Sequence, residues 1–349
     1  KKRKILSLVL ASAAGLALMA GPAPAQKASD PAFKVKLDFN RWHDVGELYA
    51  DMKRLQTAFP KFLKLQSIGK SFEGRDLMLM IINNPDTGAE PGKAAMYIEA
   101  NIHGNETQRG EGCLYTIWYL MENYGRLDDV TRLVDERVFY IIPTVNPDGR
   151  QYFMEGPGGN ARSGHVPVDD DNDGLFDEDP PEDINGNGII EQIRMFVPGQ
   201  GNLRISRTNP NIMEPVPFGE TGDYIQLGSE GIDNDGDGLV NEDGPGGYDG
   251  NRNWASDWQP DYIQSGAMDY PFQLPEARAV NDFLMAHPNI SGVQSYHNSG
   301  GMILRGPGAE AVGDYPMSDV RFYDELGQNG ERLLPFYRYL VIWSGLYTV

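Results

Sequence analysis

Three residues of this chain have the types and spacing of metal ligands. His103 and Glu106 lie three positions apart, and His297 follows far downstream. Two imidazoles and one carboxylate, with a fourth position left to water, are the ligand set of a catalytic zinc ion. Because the chain has only five histidines, few other sets can be assembled from it. We expect the remaining histidines to lie away from the metal: His43, His165 and His287.

The elements around these residues decide whether they can meet. Apolar and alternating runs predict strands over 63–70, 77–82, 94–100, 137–143 and 290–296. Apolar residues at helical spacing predict helices over 40–58, 108–124 and 276–286. The alternation predicts an α/β fold with a mixed, mostly parallel central sheet and helices on both faces. Ligands gather where the strands of such a sheet end, and both candidate histidines follow a predicted strand.

The first 25 residues differ in composition from the rest. Four basic residues precede an apolar run over 5–20, and a segment of small residues ends at Ala25. This pattern predicts a cleaved secretory signal peptide and a secreted or periplasmic protein. A membrane anchor is the alternative, but the apolar run is shorter than the roughly 18 residues that a span needs. No second apolar span follows, and we expect residues 26–349 to form one domain.

An acidic insert over 150–248, rich in Gly and Asp, interrupts that domain as a predicted loop. The formal net charge of −20 argues against nucleic acid or an anionic membrane as a partner. The pattern D-x-D-x-D-G-L-x-[DN]-E-D occurs at 169–179 and 233–243, with a weaker copy at 183–191. Alternate carboxylates followed by Gly can wrap Ca²⁺, although a solvated acidic loop is the alternative. The predicted calcium ligands are Asp169, Asp171, Asp173, Asp177, Asp233, Asp235, Asp237 and Asn241.

Further motifs accompany the three metal-ligand candidates in chain order. They are Ser-Ile-Gly-Lys-Ser-Phe-Glu-Gly-Arg at 67–75, Asn-Pro-Asp-Gly at 146–149, Asp-Gly-Asn-Arg-Asn-Trp at 249–254 and Ser-Tyr-His at 295–297. With these motifs the chain resembles the zinc carboxypeptidases, the carboxypeptidase A-like metallopeptidases, from about residue 40 to its end. The acidic insert accounts for the long separation between the two histidines of the metal site.

The resemblance implies a role for each matching position. His103, Glu106 and His297 would hold zinc, and Asp249 would accept a hydrogen bond from His103 that fixes its tautomer. Asn251 and Arg252 would bind the terminal carboxylate of the substrate, because a guanidinium meets a carboxylate bidentately. An ordinary ion pair is the alternative for Arg252, and a satisfied core histidine is the alternative for His297.

The chain departs from the family pattern at three places. Asn105 stands where digestive-type members often have an Arg that contacts the substrate, so it would contact the substrate without a charge. For the arginine that stabilises the oxyanion, Arg194, Arg204 and Arg207 compete, and we favour Arg194. The general-base glutamate has no counterpart on a late strand, because only Glu310, Glu325 and Glu331 follow His297. We expect that base and the specificity pocket to lie beyond Val349, in a segment missing from this sequence.

The leading hypothesis is an exported zinc metallocarboxypeptidase that removes a C-terminal residue from peptides or proteins. Its partner would be a peptide with a free terminal carboxylate, and its cofactors would be Zn²⁺ and structural Ca²⁺. A second reading is a zinc amidase that cuts cell-wall peptides. A third is a catalytically inactive, calcium-dependent binding protein on the same scaffold.

Overall fold

A computed structural model describes residues 33–156 and 162–346. The chain divides into two units, Lys1–Lys34 and Val35–Val349, and all of the elements named below lie in the second. The signal peptide expected at 1–25 lies outside the described residues. None of the helices in the described residues is both long enough and apolar enough to cross a membrane.

The elements follow one another in this order along the chain. The helices are α1 (Val45–Ala58), α2 (Thr107–Asn123), α3 (Asp128–Glu136), α4 (Pro147–Glu155), α5 (Pro275–Ala286), α6 (Met317–Leu333) and α7 (Ile342–Gly345). The strands are β1 (Leu63–Lys70), β2 (Asp76–Ile82), β3 (Ala95–Ala100), β4 (Val138–Ile142), β5 (Gln192–Gly201), β6 (Leu203–Ile205), β7 (Met213–Pro215), β8 (Gly222–Ser229), β9 (Ile290–Tyr296), β10 (Met302–Arg305) and β11 (Arg338–Val341). Each helix and strand predicted above is present, within a few residues of its predicted ends.

The central sheet contains five of these strands in the order β1-β2-β4-β3-β9. β1 pairs with β2, and β2 with β4, in antiparallel register, whereas β3 lies parallel to both β4 and β9. The predicted α/β fold with a mixed sheet is confirmed, but its pairings divide evenly between the two kinds and are not mostly parallel. The antiparallel part begins with the turn over 71–75, because so short a connection cannot make a parallel crossover.

Helices cover both faces of the sheet, as the sequence predicts. On one face, α1, α2 and α3 pack against Met80 and Ile82 of β2 and against Ile141 of β4. On the opposite face, α5 packs its Val280 and Phe283 against the other set of strand residues. Successive side chains of a strand point to opposite faces, so a strand covered on both sides needs a continuous apolar run. The run over 77–82 is of this kind.

The ends of β3 and β9 bring distant parts of the chain together. The two strands run side by side in the same direction, with Ala100 opposite Tyr296. The chain therefore leaves both strands at the same edge of the sheet. The residues that follow them include both candidate histidines.

The acidic insert contains a sheet that the sequence did not predict. β5, β8, β6 and β7 form a four-stranded antiparallel sheet in that order. Its side chains are largely exposed, with Phe196 at 60% and Leu227 at 57%, so no apolar periodicity marks these strands. The insert also begins later than residue 150, because α4 continues to Glu155.

The start of α4 explains why that helix was missed. Asn146 caps it by accepting a hydrogen bond from the backbone N–H of Gly149, and Pro147 occupies its first turn. An Asn cap followed by Pro is a helix-start signal, but Asn-Pro-Asp-Gly also has the composition of a turn. Only the residues after the motif distinguish the two.

Candidate metal centre

His103, Glu106 and His297 converge on one place. Nδ1 of His103 lies 3.2 Å from Oε1 of Glu106, and Nδ1 of His297 lies 3.0 Å from Oε2 of Glu106. The two Nδ1 atoms are 3.2 Å apart. Imidazole nitrogens at this distance cannot both present lone pairs unless a proton or a cation lies between them. The donor set of two nitrogens and a carboxylate fits zinc.

The cluster is buried on one side and open on the other. The side chains of His103 and Glu106 are 3% and 7% exposed, whereas that of His297 is 31% exposed. Burial raises the pKa of Glu106, but its contacts with His103 and His297 outweigh burial and hold the pKa at about 2. Glu106 is therefore ionised over the whole physiological range, as binding of a cation requires.

Asp249 lies where the resemblance implies a partner for His103. Its Oδ1 is 2.9 Å from Nε2 of His103 and also accepts a hydrogen bond from the backbone N–H of Asn251 at 2.8 Å. Burial opposes ionisation of Asp249, but His103 and Arg162 together lower its pKa. A neutral His103 that donates its Nε2–H to Asp249 presents the Nδ1 lone pair to the cluster.

Arg162 is the second partner of Asp249, and the sequence analysis missed it. Its Nε and Nη2 atoms donate to Oδ2 of Asp249 at 3.1 and 2.7 Å. Its carbonyl accepts a hydrogen bond from the backbone N–H of Gly104, next to His103, at 2.8 Å. The side chain is 39% exposed, so the guanidinium is held beside the cluster and still reaches solvent. Arg162 lies in the same interval between motifs as Arg194, Arg204 and Arg207, and no local pattern distinguishes it from them.

The arginines predicted to compete for the oxyanion lie elsewhere. The guanidinium of Arg194 on β5 lies 5.2 Å from the ring centre of Tyr224 and 2.9 Å from Sδ of Met213. Arg204 on β6 pairs with Glu214 at 3.6 Å, and Arg207 is exposed just after that strand. In the part of the chain that is described, no hydrogen bond or ion pair joins Arg194 to the cluster, because β5 belongs to the sheet of the insert.

A buried network shapes the loop that carries His103. Asn101 follows β3 with a φ of +58°, a left-handed conformation that Asn tolerates. Its Nδ2 donates to the carbonyls of His103 and Gly104 at 2.6 and 3.1 Å. Its Oδ1 accepts from Nη1 of Arg150 at 3.1 Å, and Arg150 is fully buried against Glu111 of α2. Residues of α2 and α4 thus hold this loop in place through Asn101.

Arg109 of α2 holds the other histidine in place. Its Nε donates to the backbone carbonyl of His297 at 3.0 Å, and its Nη2 donates to the hydroxyl of Tyr337 at 2.6 Å. The contact spans 188 positions of the chain, so no local sequence pattern could reveal it. It ties the end of β9 to the helix that follows the first ligand pair.

In the sequence, the predicted substrate-binding residues adjoin either the cluster or Asp249. Asn251 and Arg252 are half-buried in the short 3-10 turn (Gly250–Arg252) that Asp249 begins. Asn105 is half-buried immediately before Glu106. Because Asp249 bonds both to His103 and to the backbone of Asn251, one residue connects the Asn-Arg pair to the cluster.

The carboxylates that follow His297 are placed on other elements. Glu310 begins a short 3-10 turn (Glu310–Val312), and Glu325 and Glu331 lie on α6. Oε1 of Glu331 accepts a hydrogen bond from the backbone N–H of Tyr339 at 2.7 Å. Within residues 33–156 and 162–346, no hydrogen bond or ion pair connects any of the three to the cluster.

The other histidines have partners of their own. His43 is buried, with its Nδ1 2.6 Å from Oε2 of Glu111. Nδ1 of His165 contacts Oε1 of Glu73, and Nδ1 of His287 lies 2.7 Å from the carbonyl oxygen of Phe283.

The acidic repeats form two loops of the same conformation. In each loop, one carboxylate oxygen from each of three residues lies within 4.8 Å of the others; the two groups are Asp169, Asp171 and Asp173, and Asp233, Asp235 and Asp237. The first aspartate of each loop accepts a hydrogen bond at 3.1 Å from the N–H of Gly174 or Gly238. Both glycines have positive φ, as do the ninth residues of the repeats, Asp177 and Asn241.

Fold and cluster together define a class of protein. It is an α/β protein with a centre of two imidazoles and one carboxylate at the edge of a mixed sheet. The model of the zinc carboxypeptidase family matches residues 48–338. The chain belongs to the zinc carboxypeptidase family, whose name identifies the metal that its members bind.

Three known proteins illustrate the similarity. Carboxypeptidase D of Drosophila melanogaster is 31% identical over 151 residues, which are 40% of this chain and 11% of that protein. The inactive metallocarboxypeptidase ECM14 of Saccharomyces cerevisiae is 29% identical over 114 residues, which are 33% of this chain and 26% of that protein. The crystal structure of carboxypeptidase A from Helicoverpa armigera aligns with a TM-score of 0.59 and 18% identity, over 92% of this chain and 63% of that one. The structural likeness supports the fold, and the matches cover only a small part of the curated relatives.

Proposed function

We propose that this chain is the metal-binding part of an exported zinc metallocarboxypeptidase that hydrolyses the C-terminal peptide bond of peptides or proteins. The observation that supports this most strongly is the convergence of His103, Glu106 and His297. Asp249 connects that cluster to the Asn251–Arg252 pair. The Arg252 guanidinium of that pair suits a substrate whose scissile peptide bond lies next to a free carboxylate.

The proposed roles follow from the contacts. His103, Glu106 and His297 would hold zinc, which when bound polarises the scissile carbonyl and acidifies a water molecule. Asp249 keeps His103 in the tautomer that offers Nδ1 to the metal.

The substrate would be held by residues on two sides of the cluster. Arg252 would bind the terminal carboxylate of the substrate through its planar fork, with Asn251 as a further donor. Asn105 would donate to the peptide backbone.

Arg162 replaces Arg194 in the proposed mechanism. A guanidinium fixed by Asp249 and still partly exposed can donate to the oxygen on which negative charge develops. Its ion pair with Asp249 orients it before substrate binds, so little reorganisation is needed. None of Glu310, Glu325 and Glu331 is placed at the cluster, and we propose that the general-base glutamate lies outside the described residues.

We further propose that the two acidic loops bind structural Ca²⁺. The ligands would be Asp169, Asp171, Asp173 and Asp177 in the first loop and Asp233, Asp235, Asp237 and Asn241 in the second. Three converging carboxylates per loop and a Gly with positive φ support this, because Ca²⁺ takes oxygen ligands from tightly turned loops.

An inactive binding protein is the second candidate function. It is favoured by one observation, the similarity to a relative that is itself named as inactive. Both candidates predict zinc at the cluster, and only the peptidase predicts turnover.

Zinc content and product release test the proposal in two steps. The parent chain should bind one Zn²⁺, and His103→Ala should lose it, whereas the control His165→Ala should keep it. Equal zinc in His103→Ala and the parent would refute the metal assignment. The protein should release free amino acids from peptides with a free C-terminal carboxylate and not from the same peptides after amidation. Zinc binding without any release of amino acids would favour the inactive protein. Cleavage of amidated peptides would contradict the proposed binding of the terminal carboxylate by Arg252.

A further inference from the structure

The two acidic repeats are joined to each other. The backbone N–H of Asp179 in the first repeat donates to the carbonyl of Asp243 in the second at 2.9 Å, and the two residues form an antiparallel bridge. They occupy the same position of their repeats, and both are fully buried. The two repeats therefore contact each other through equivalent residues.

One of these two carboxylates is fully satisfied by the opposite repeat. Oδ1 of Asp179 accepts hydrogen bonds from the backbone N–H and the side-chain Nδ2 of Asn234 at 3.2 and 3.0 Å. Its Oδ2 accepts from the backbone N–H of Asn241 at 2.8 Å. Burial opposes ionisation of Asp179, but these donors and a side-chain hydrogen bond with Glu242 lower its pKa. A buried carboxylate with three donors needs no cation.

The equivalent carboxylate, that of Asp243, is not satisfied. Within the described residues, neither of its side-chain oxygens accepts a hydrogen bond of normal geometry, although the backbone amides of Asp170 and Asp177 lie nearby. The position of Asn234 is held in the first repeat by Asp170, which has no side-chain N–H to donate. Burial and the neighbouring charge of Asp177 raise the pKa of Asp243.

Asp243 faces two further acidic side chains. One oxygen each of Asp171, Glu178 and Asp243 lies within 4.8 Å of the others. Both carboxylate oxygens of Glu178 are buried and, in the described chain, without a hydrogen-bond partner. Glu178 also groups in the same way with Asp173 and with Asp235 of the second repeat. Buried carboxylates without donors or a counter-charge are strongly unfavourable.

We propose that Asp171, Glu178 and Asp243 form a further Ca²⁺ site, shared between the two repeats. Calcium prefers carboxylate oxygens and tolerates irregular geometry, and one divalent ion would offset most of the repulsion among the three carboxylates. The site differs from the two loops proposed above because it takes ligands from both repeats: Glu178 and Asp243 lie outside the alternating aspartates, and Asp171 would be shared with the first loop. A bound ion would add a second link between the repeats, beside the Asp179–Asp243 bridge. This inference extends the calcium proposal and is independent of peptidase activity.

Calcium titration of the whole calcium-stripped chain tests the shared site. By isothermal titration calorimetry with Ca²⁺ alone, Asp243→Asn should bind one ion fewer per chain than the parent, or bind it at least tenfold more weakly. Glu220→Gln removes a charge from an exposed position of the same insert and should leave the titration unchanged. Parent-like stoichiometry and affinity in Asp243→Asn would overturn the proposal.

Three further variants keep the test decisive. If Asp243→Asn does not fold, Glu178→Gln at a half-buried position should show the same loss, and a parent-like titration there would overturn the shared site. Asp170→Asn gives the first repeat the side-chain donor that the second has. It should raise the melting temperature of the calcium-free protein, and no change there would contradict the argument from Asp243. Asp169→Asn should weaken Ca²⁺ binding in the first loop and leave binding at the shared site unchanged. The zinc content of all variants should equal that of the parent, which distinguishes the shared calcium site from the zinc centre.

Discussion

At the scale of single residues, Asp249 connects the parts of the proposed catalytic centre. One of its oxygens contacts His103 and the backbone of Asn251, and the other contacts Arg162. A single carboxylate thus sets the imidazole tautomer, the start of the Asn-Arg turn and the position of a guanidinium. Any shift of Asp249 would move all three at once.

The first prediction concerns Arg162. Replacing it by Gln removes the positive charge beside the cluster, and kcat/KM for peptides should fall by about 10²- to 10³-fold, the usual effect of losing one oxyanion donor. Zinc content should be retained, because Arg162 does not contact the three ligands. Arg194→Gln is the matched control and should leave kcat/KM unchanged. The opposite ranking of the two variants would restore Arg194 to the mechanism.

Arg162 and Arg194 show which parts of the site could not be predicted from the sequence. His103 and Glu106 could be recognised because three positions of one turn place both side chains together, and Asp249 because it begins a recognisable motif. Arg194 lies in the separate sheet that the insert forms, and separation along the sequence does not indicate which arginine returns to the cluster. Arg162 and Arg109 are set by contacts over 87 and 188 positions.

At the scale of elements, the parallel pairing of β3 and β9 determines where the metal centre forms. β3 and β9 end side by side, and α2 begins at Thr107, directly after the first ligand pair. The apolar runs that form these elements were visible in the sequence, and most of their boundaries could be predicted. The strands of the insert could not, because their side chains are exposed on both faces and carry no periodic signal.

The first turn of α5 contains a titratable group that affects stability. Burial raises the pKa of Glu276 from 4.5 to about 7, and its Oε1 accepts a hydrogen bond from the backbone N–H of Phe72 at 2.9 Å. A raised carboxyl pKa stabilises the fold at low pH, and this contribution is lost as the pH rises through about 7. The full loss is on the order of 3 kcal/mol at most.

Glu276→Gln should therefore stabilise the protein above pH 7 and have little effect near pH 4. The amide oxygen can still accept from Phe72, so the hydrogen bond is retained. Urea unfolding from pH 5 to pH 8 would measure the difference in free energy of unfolding between variant and parent, which should grow with pH. Glu325→Gln on the exposed face of α6 should show no such trend. A constant difference for Glu276→Gln would contradict the proposed burial of its charge.

At the scale of the whole molecule, the insert and the central sheet differ in how they bury apolar side chains. The central fold has two apolar cores, whereas the insert exposes most of its apolar side chains and concentrates aspartates. The repeats could be recognised in the sequence, and the structure adds that they contact each other. That contact depends on tertiary pairing of two positions 64 residues apart, Asp179 and Asp243, which no local pattern encodes.

Removal of calcium should destabilise the insert before the core. At about 100 times its Kd, a bound ion contributes roughly 2.7 kcal/mol, which corresponds to a shift of several degrees in Tm. Calorimetry of calcium-stripped protein should show a lower transition that returns on addition of Ca²⁺ and not of Mg²⁺ at equal concentration. No calcium-dependent change in Tm would count against every calcium site proposed here.

The most direct test of the central claim is the location of the metal itself. In crystals grown with Zn²⁺, anomalous scattering measured on both sides of the zinc absorption edge should show one strong peak. That peak should lie about 2.0–2.2 Å from Nδ1 of His103, Nδ1 of His297 and a carboxylate oxygen of Glu106. A zinc peak at another place, or none within bonding distance of these three side chains, would contradict the account.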